Sequence, residues 1–186
     1  LGKEERRRWR TEYQDYWHTF DRARERDRLT DSTGHVYVPV TMRGEAPQLP
    51  QRGAWTFLHA IHPGSLFAAN DPLMRGTMAM LDAHQAEGLI LGTGWLEDGL
   101  WTYAGSFYAH AHLWLGHGAK AAATLYAFAN HACPLLGWWE EQEPEGAGPY
   151  AGDMPHNWAG AECLRLVRHL LILERGAQLH LLPGLP

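Results

Sequence analysis

Three residues, Gly116-His117-Gly118, separate two apolar helical stretches and leave the chain only one way to proceed. A break that short returns the second helix antiparallel against the first. The spacing predicts helices over 101–115 and 119–133, stopped by Gly116 and by Pro134. Small residues are dense in both: Ala104-Gly105-Ser106, Ala109, Ala111, Ala119 and Ala121 through Ala123. They permit close helix-to-helix approach.

The same signals recur along the chain. From 3 to 26, Trp9, Tyr13, Tyr16, Trp17, Phe20 and Ala23 recur at steps of three and four, with charges on the other face. A turn follows at Asp31-Ser32-Thr33-Gly34, then a short strand is expected over 36–40 and a loop over 43–53. Residues 54–69 read as part helix, interrupted by Pro63-Gly64. Asp71-Pro72 opens a helix expected to run to Glu87, with Gly88 as its stop. Asn157 is expected to cap a last helix reaching Glu174, with Leu164, Val167, Leu170 and Leu171 on its apolar side. The predicted class is all-α: antiparallel helical hairpins joined by loops of two kinds. Two loops are long, 91–100 and 135–156, and long loops inside a compact domain are usually functional.

Those two loops carry the unusual part of the composition. The chain has nine Trp, many beside Gly, Glu, Asp or His. Flat apolar rings among carboxylates and amides suit a sugar, whose C–H faces stack while its hydroxyls hydrogen-bond. Other partners find less support. A net charge of −5 gives no electrostatic reason to expect nucleic acid. Arg6-Arg7-Arg8 is interleaved with acids and reads as a solvated helix face. No apolar run approaches the ~18 residues of a membrane span. Cys133 and Cys163 allow one disulfide at most, and their helical surroundings favour two buried thiols; the compartment stays open.

Two stretches resemble a known family. Trp139-Glu140, then a loop, then Gly152-Asp153-Met154-Pro155-His156-Asn157-Trp158-Ala159-Gly160-Ala161-Glu162 is similar to the late part of the toroid in six-hairpin glycosidases. Bacterial α-L-rhamnosidases are the nearest comparison. The tail Leu179 to Pro186 is similar to the segment leaving the toroid in fucosidase-like and sugar-phosphorylase-like relatives, where it leads into a β-sandwich. Gly137-Trp138 stands where rhamnosidases have hydroxyl residues, and His156-Asn157 reverses their Asn-His order. The resemblance implies a partial (α/α) toroid, with residues 1–186 supplying about three of six hairpins. It also implies that the other half and the β-sandwich lie outside this chain. The start at Leu1 rather than Met and the apolar run ending at Pro186 are read as cuts at both ends of a longer protein. It implies an oligosaccharide or glycoside substrate, no cofactor, and self-association through exposed hairpin faces.

Glycoside hydrolysis needs two carboxyl groups flanking the scissile bond. By resemblance, Glu140 matches the general base of an inverting enzyme, and the general acid lies upstream of Leu1. Read on their own, Glu140 and Glu141 are either an acid set against indoles or ordinary surface residues of Glu140-Glu141-Gln142-Glu143. Glu97 and Asp98 bind sugar hydroxyls, serve as the partner acid, or merely solvate their loop. Trp95, Tyr103, Trp138, Trp139, Asp153, His156, Asn157 and Trp158 are the candidate substrate-binding residues. For Asn157 and Trp158 the competing roles are helix cap and core, for Tyr103 and Tyr108 core or cleft, and for Asp153 a turn.

Twelve His invite a metal, yet His110 and His112 on one helix point roughly 200° apart and cannot share an ion. No His-Glu-x-x-His, paired Cys-x-x-Cys, nucleophile elbow or phosphate loop occurs. A glycosidase therefore competes with a non-catalytic helical module binding carbohydrate or protein. A sugar isomerase or lyase using His156 or a Tyr as base is the third idea.

Overall fold

In the computed structural model, which describes residues 2–146 and 148–185, the helices are α1 (Lys3–Asp27), α2 (Trp55–Ile61), α3 (Pro72–Ala83), α4 (Thr102–Trp114), α5 (Gly118–Asn130) and α6 (Asn157–Leu171). Short antiparallel pairs punctuate them: β1 (Leu29–Thr30) with β2 (Val36–Tyr37), and β3 (Gln85–Ala86) with β4 (Leu89–Ile90). The others are β5 (Glu141–Gln142) with β6 (Tyr150–Ala151), and β7 (Ile172–Arg175) with β8 (Gln178–Leu181). The protein is mostly helical.

Helix α4 organises the rest, packing on α5, α6 and α2. From Thr102 to Leu113 only Tyr103 escapes full burial. Its small residues explain this: a Cβ on Gly105 would sit 2.8 Å from Leu89 Cδ2. Side-chain pairs give the directions of the helices. Trp55 and His59 of α2 and His62 at its C-cap meet Trp101, Phe107 and His110 in that order, so α2 and α4 run in the same sense. Tyr103, Ser106 and His110 meet Trp158, Glu162 and His169, so α6 runs parallel too. The break at Gly116–Gly118 turns α5 back behind α4 and α6, as its length requires. The main core joins Leu58, Ile61, Met74, Met80, Leu81, Phe107 and Tyr108 of α2, α3 and α4. A second core sets Ala121 against Leu166 and Leu170.

Asp71 caps α3, its Oδ1 accepting from the N–H groups of Leu73 and Met74 at 3.0 Å each. The same carboxylate receives Arg24 Nη1 at 3.0 and 2.8 Å, which ties α1 to α3. Trp17 and Phe20 also lean on Phe67. The rest of the aromatic stripe of α1 meets no core: Trp9, Tyr13 and Tyr16 are exposed.

Several boundaries differ from expectation. Helix α3 ends at Ala83, and Glu87-Gly88, both at positive φ, form a two-residue hairpin turn. Helix α6 ends at Leu171, where a hairpin of two four-residue strands takes over. The N-cap of α6 is His156 rather than Asn157, which is the first, exposed helical residue. Cys133 and Cys163 are free and half-buried. No helix of the described residues is long and apolar enough to cross a membrane.

Candidate functional site

The loop between β4 and α4 is fixed through its main chain. Gly92 N–H donates to Gly99 O at 2.7 Å, closing the loop at its neck. Leu100 exchanges hydrogen bonds with Gln142 of β5, at 2.6 and 3.2 Å, so this loop and the 135–156 segment are sewn together. Glu141, 1% exposed, reaches into the loop. Its Oε2 accepts from the N–H groups of Trp95 at 2.7 Å and Leu96 at 3.1 Å. From the other side Arg52 Nη2 donates to Trp95 O at 2.7 Å. The carboxylate fits only because Gly94 and Gly99 lack side chains; their Cβ atoms would lie 2.7 and 2.6 Å from Glu141 Oε1. Burial pushes the Glu141 pKa up, against the pull of the two amides and Arg52. The Trp95 indole is left 63% exposed at the tip.

In the second segment, successive side chains part company. Trp138 is buried, its indole N–H donating to Phe128 O at 2.9 Å. It is a core residue, which corrects its expected place in the cleft. Trp139 turns the other way and stacks on Tyr150, ring centroids 4.6 Å apart. Those two rings line an open cleft of about 580 Å³ with Glu87, His131 and Cys133. Glu140 returns toward the Trp95 loop. Its Oε2 lies 3.4 Å from the Asp153 N–H, and its Oε1 lies 3.9 Å from His156 Nε2. His156 is buried at the start of α6, and burial lowers its pKa against the opposing charges of Glu140 and Asp153.

The helix starts complete the site. Each of the three parallel helices begins with a tryptophan: Trp55 opens α2, Trp101 caps α4, and Trp158 is the second residue of α6. Trp55 meets Trp101 at 5.6 Å, Trp101 meets Tyr103 at 5.5 Å, and Tyr103 meets Trp158 at 5.4 Å and His156 at 5.8 Å. Burial and the charge of Glu162 raise the Tyr103 pKa. Buried polar atoms without a partner also gather here: Gln51 Oε1, Thr93 Oγ1, Trp101 Nε1, Thr102 Oγ1, Glu141 Oε1 and His156 Nδ1. Such atoms are rare in folded proteins, and ordered water satisfies many of them. Gly94, Trp95, Trp101, Glu140 and Glu141 enclose about 10 Å³, close to the room one water molecule needs.

No family model, curated protein or solved structure matches this chain. What the site can do must therefore be read from its own atoms. It offers exposed and half-exposed rings (Trp95, Tyr103, Trp158), one partly open carboxylate (Glu140), one sealed carboxylate (Glu141) and a neutral imidazole (His156). That set can stack an apolar face, bind hydroxyls and accept a proton. Among the described residues no group of three or more His, Cys, Asp or Glu is placed to hold a metal ion.

Glu97 and Asp98 are exposed on the outer flank of the loop. Glu97 borders a separate cleft of about 430 Å³ with Glu45 and Arg52. Asp153 is exposed beside Glu140, and Asn157 is exposed outside the ring cluster. Tyr108 is core, and its hydroxyl donates to Asp82. Sequence reasoning passed over Trp55, Trp101, Ser106, Glu162 and Arg165. The repeated tryptophan at helix starts was the available signal for the first two.

Proposed function

We propose that this chain is part of a glycoside hydrolase domain built on an (α/α) toroid, with Glu140 as the general base. The parallel α2, α4 and α6 would be inner helices of the ring, and α3 and α5 outer ones. One observation carries the reading: two loops distant in sequence meet over the tryptophan-bearing starts of three parallel helices. Glu140 stands among them, half-buried, with its Oε1 3.9 Å from His156 Nε2. A general base needs a carboxylate that solvent water can still reach. Glu141 would shape the loop, since its carboxylate is spent on two amides and sealed by two glycines. A row of exposed apolar residues on α6, Leu164, Val167 and Leu171, is what a further helical hairpin would cover. A non-catalytic carbohydrate-binding module uses the same rings without Glu140.

The test is Glu140→Gln in the longest available form of the protein, assayed on a panel of p-nitrophenyl glycosides. We expect turnover to fall by at least about 10³-fold with an unchanged melting temperature. Undiminished turnover refutes the assignment. A lethal Glu141→Gln beside an active Glu140→Gln would transfer the role to Glu141.

A further inference from the structure

One carboxylate in this region is neither a surface acid nor part of the loop lock. Glu162 lies one helical turn below Trp158 on the same face of α6. Its Oε2 accepts three hydrogen bonds: from Ser106 Oγ at 2.7 Å, Arg165 Nε at 3.0 Å and Arg165 Nη2 at 2.7 Å. No donor among the described residues reaches Oε1, and the side chain is 15% exposed. One oxygen is held rigidly and the other is presented.

The support behind Ser106 is directional. A carbonyl can only accept, so His110 Nδ1–H donates to Ser106 O at 2.8 Å. Burial holds the His110 pKa down to about 2, so the ring is neutral and its Nε2 accepts from His169 Nδ1–H at 3.0 Å. Ser106 Oγ–H is then free to donate to Glu162. His169, His110, Ser106 and Glu162 form a chain joining α4 to α6, and it ends on a carboxylate beneath an exposed indole. Trp158, Glu162, Arg165 and His169 recur at the helical period, so they make one polar stripe on the wall shared with Tyr103.

We propose that Glu162 is a substrate-binding residue whose Oε1 accepts a hydrogen bond from a hydroxyl of a sugar ring stacked on Trp158. The proposal rests on the saccharide reading above and extends it to a residue on the wall. Fixing Oε2 with three donors removes the rotational freedom that a free glutamate would lose on binding.

The test measures binding rather than turnover. Saturation-transfer NMR and calorimetry are run on the full chain with the methyl glycosides of L-rhamnose, L-fucose and D-glucose, and with their monodeoxy analogues. For the glycoside that binds, Glu162→Gln should weaken affinity about ten-fold or more. One monodeoxy analogue should bind wild type correspondingly weakly, and bind Glu162→Gln no worse than the parent sugar does. Ser106→Ala keeps the carboxylate but removes one anchor, and it should give an intermediate loss. This second variant also decides the matter if Glu162→Gln fails to fold. Wild-type binding that neither variant changes overturns the proposal and leaves the saccharide reading standing. A wild-type chain that binds none of these sugars overturns both.

Discussion

Glu141 holds Trp95 by the main chain, its Oε2 accepting from the Trp95 N–H at 2.7 Å across 46 residues of sequence. The contact joins the two loops, and it costs the burial of a carboxylate whose second oxygen has no partner among the described residues.

Removing that carboxylate should free the loop. Glu141→Ala strands two amide donors and is expected to cost about 2–3 kcal/mol in urea denaturation. Glu141→Gln keeps an acceptor and removes the buried charge, so its cost should stay within about 1 kcal/mol. Gly94→Ala collides with the same carboxylate and should resemble Glu141→Ala. Equal stability of all three with wild type would mean that the contact organises nothing.

Asp71 serves two helices at once. Asp71→Ala loses the α3 cap, worth about 1 kcal/mol, and removes one of the two carboxylates that hold buried Arg24, Asp21 staying at 2.8 Å. We expect a total loss of about 2 kcal/mol. Asp71→Asn retains the cap geometry and should fall between wild type and Asp71→Ala. Chemical denaturation of the three proteins reads this directly, and an Asn variant as damaged as Ala would assign the whole effect to the ion pair.

Acid should unfold the protein by way of its helix wall. His62, His110 and His169 meet between α2, α4 and α6, with Arg165, Arg175 and His59 nearby. Burial holds His62 down to about 4, whereas an unfolded histidine titrates near 6.5. Between those values the unfolded chain binds protons that the folded chain refuses, so stability falls as pH drops from about 6.5 toward 4. His62 alone corresponds to a loss on the order of 3 kcal/mol. Denaturation midpoints at pH 7.5, 6 and 5 should decline steadily, and His62→Phe should flatten the slope. A midpoint independent of pH in wild type would count against buried neutral imidazoles.

The exposed row on α6 should drive association. Leu164 is 74% exposed, with Val167 and Leu171 beside it. Sedimentation velocity of the 186-residue chain is expected to show concentration-dependent species, and Leu164→Lys with Val167→Glu should shift it to monomer. If both proteins sediment as the same monomer, that face has no such tendency.

Local signals made most of the fold legible. The three-residue break before α5 and the Asp71-Pro72 start of α3 are chemistry confined to a few neighbours, and both are readable in the sequence. Gly88 misleads because a glycine at positive φ serves a helix end and a hairpin turn equally well. The end of α6 misleads because Ile172 and Leu173 continue an apolar pattern that fits helix and strand alike. His110 and His112 part as the helical period requires, one toward His169 and the other toward Asp82.

The site was less legible than the helices. Trp138 and Trp139 are identical in sequence terms, yet one enters the core and the other stacks on Tyr150. Glu140 and Glu141 divide in the same way: Glu141 fits against Gly94 and Gly99, more than forty residues away, while Glu140 packs on Gly152. In sequence Glu162 is like any helical glutamate; only the placement of Ser106 and Arg165 on it sets it apart.

Because the loop over 91–100 is gripped by its peptide groups, the identities of the side chains at 95, 97 and 98 bear little on whether it folds. The surface of the loop and its architecture are therefore separable in this protein. A designer, or natural drift, can exchange those tips freely while the frame stays intact.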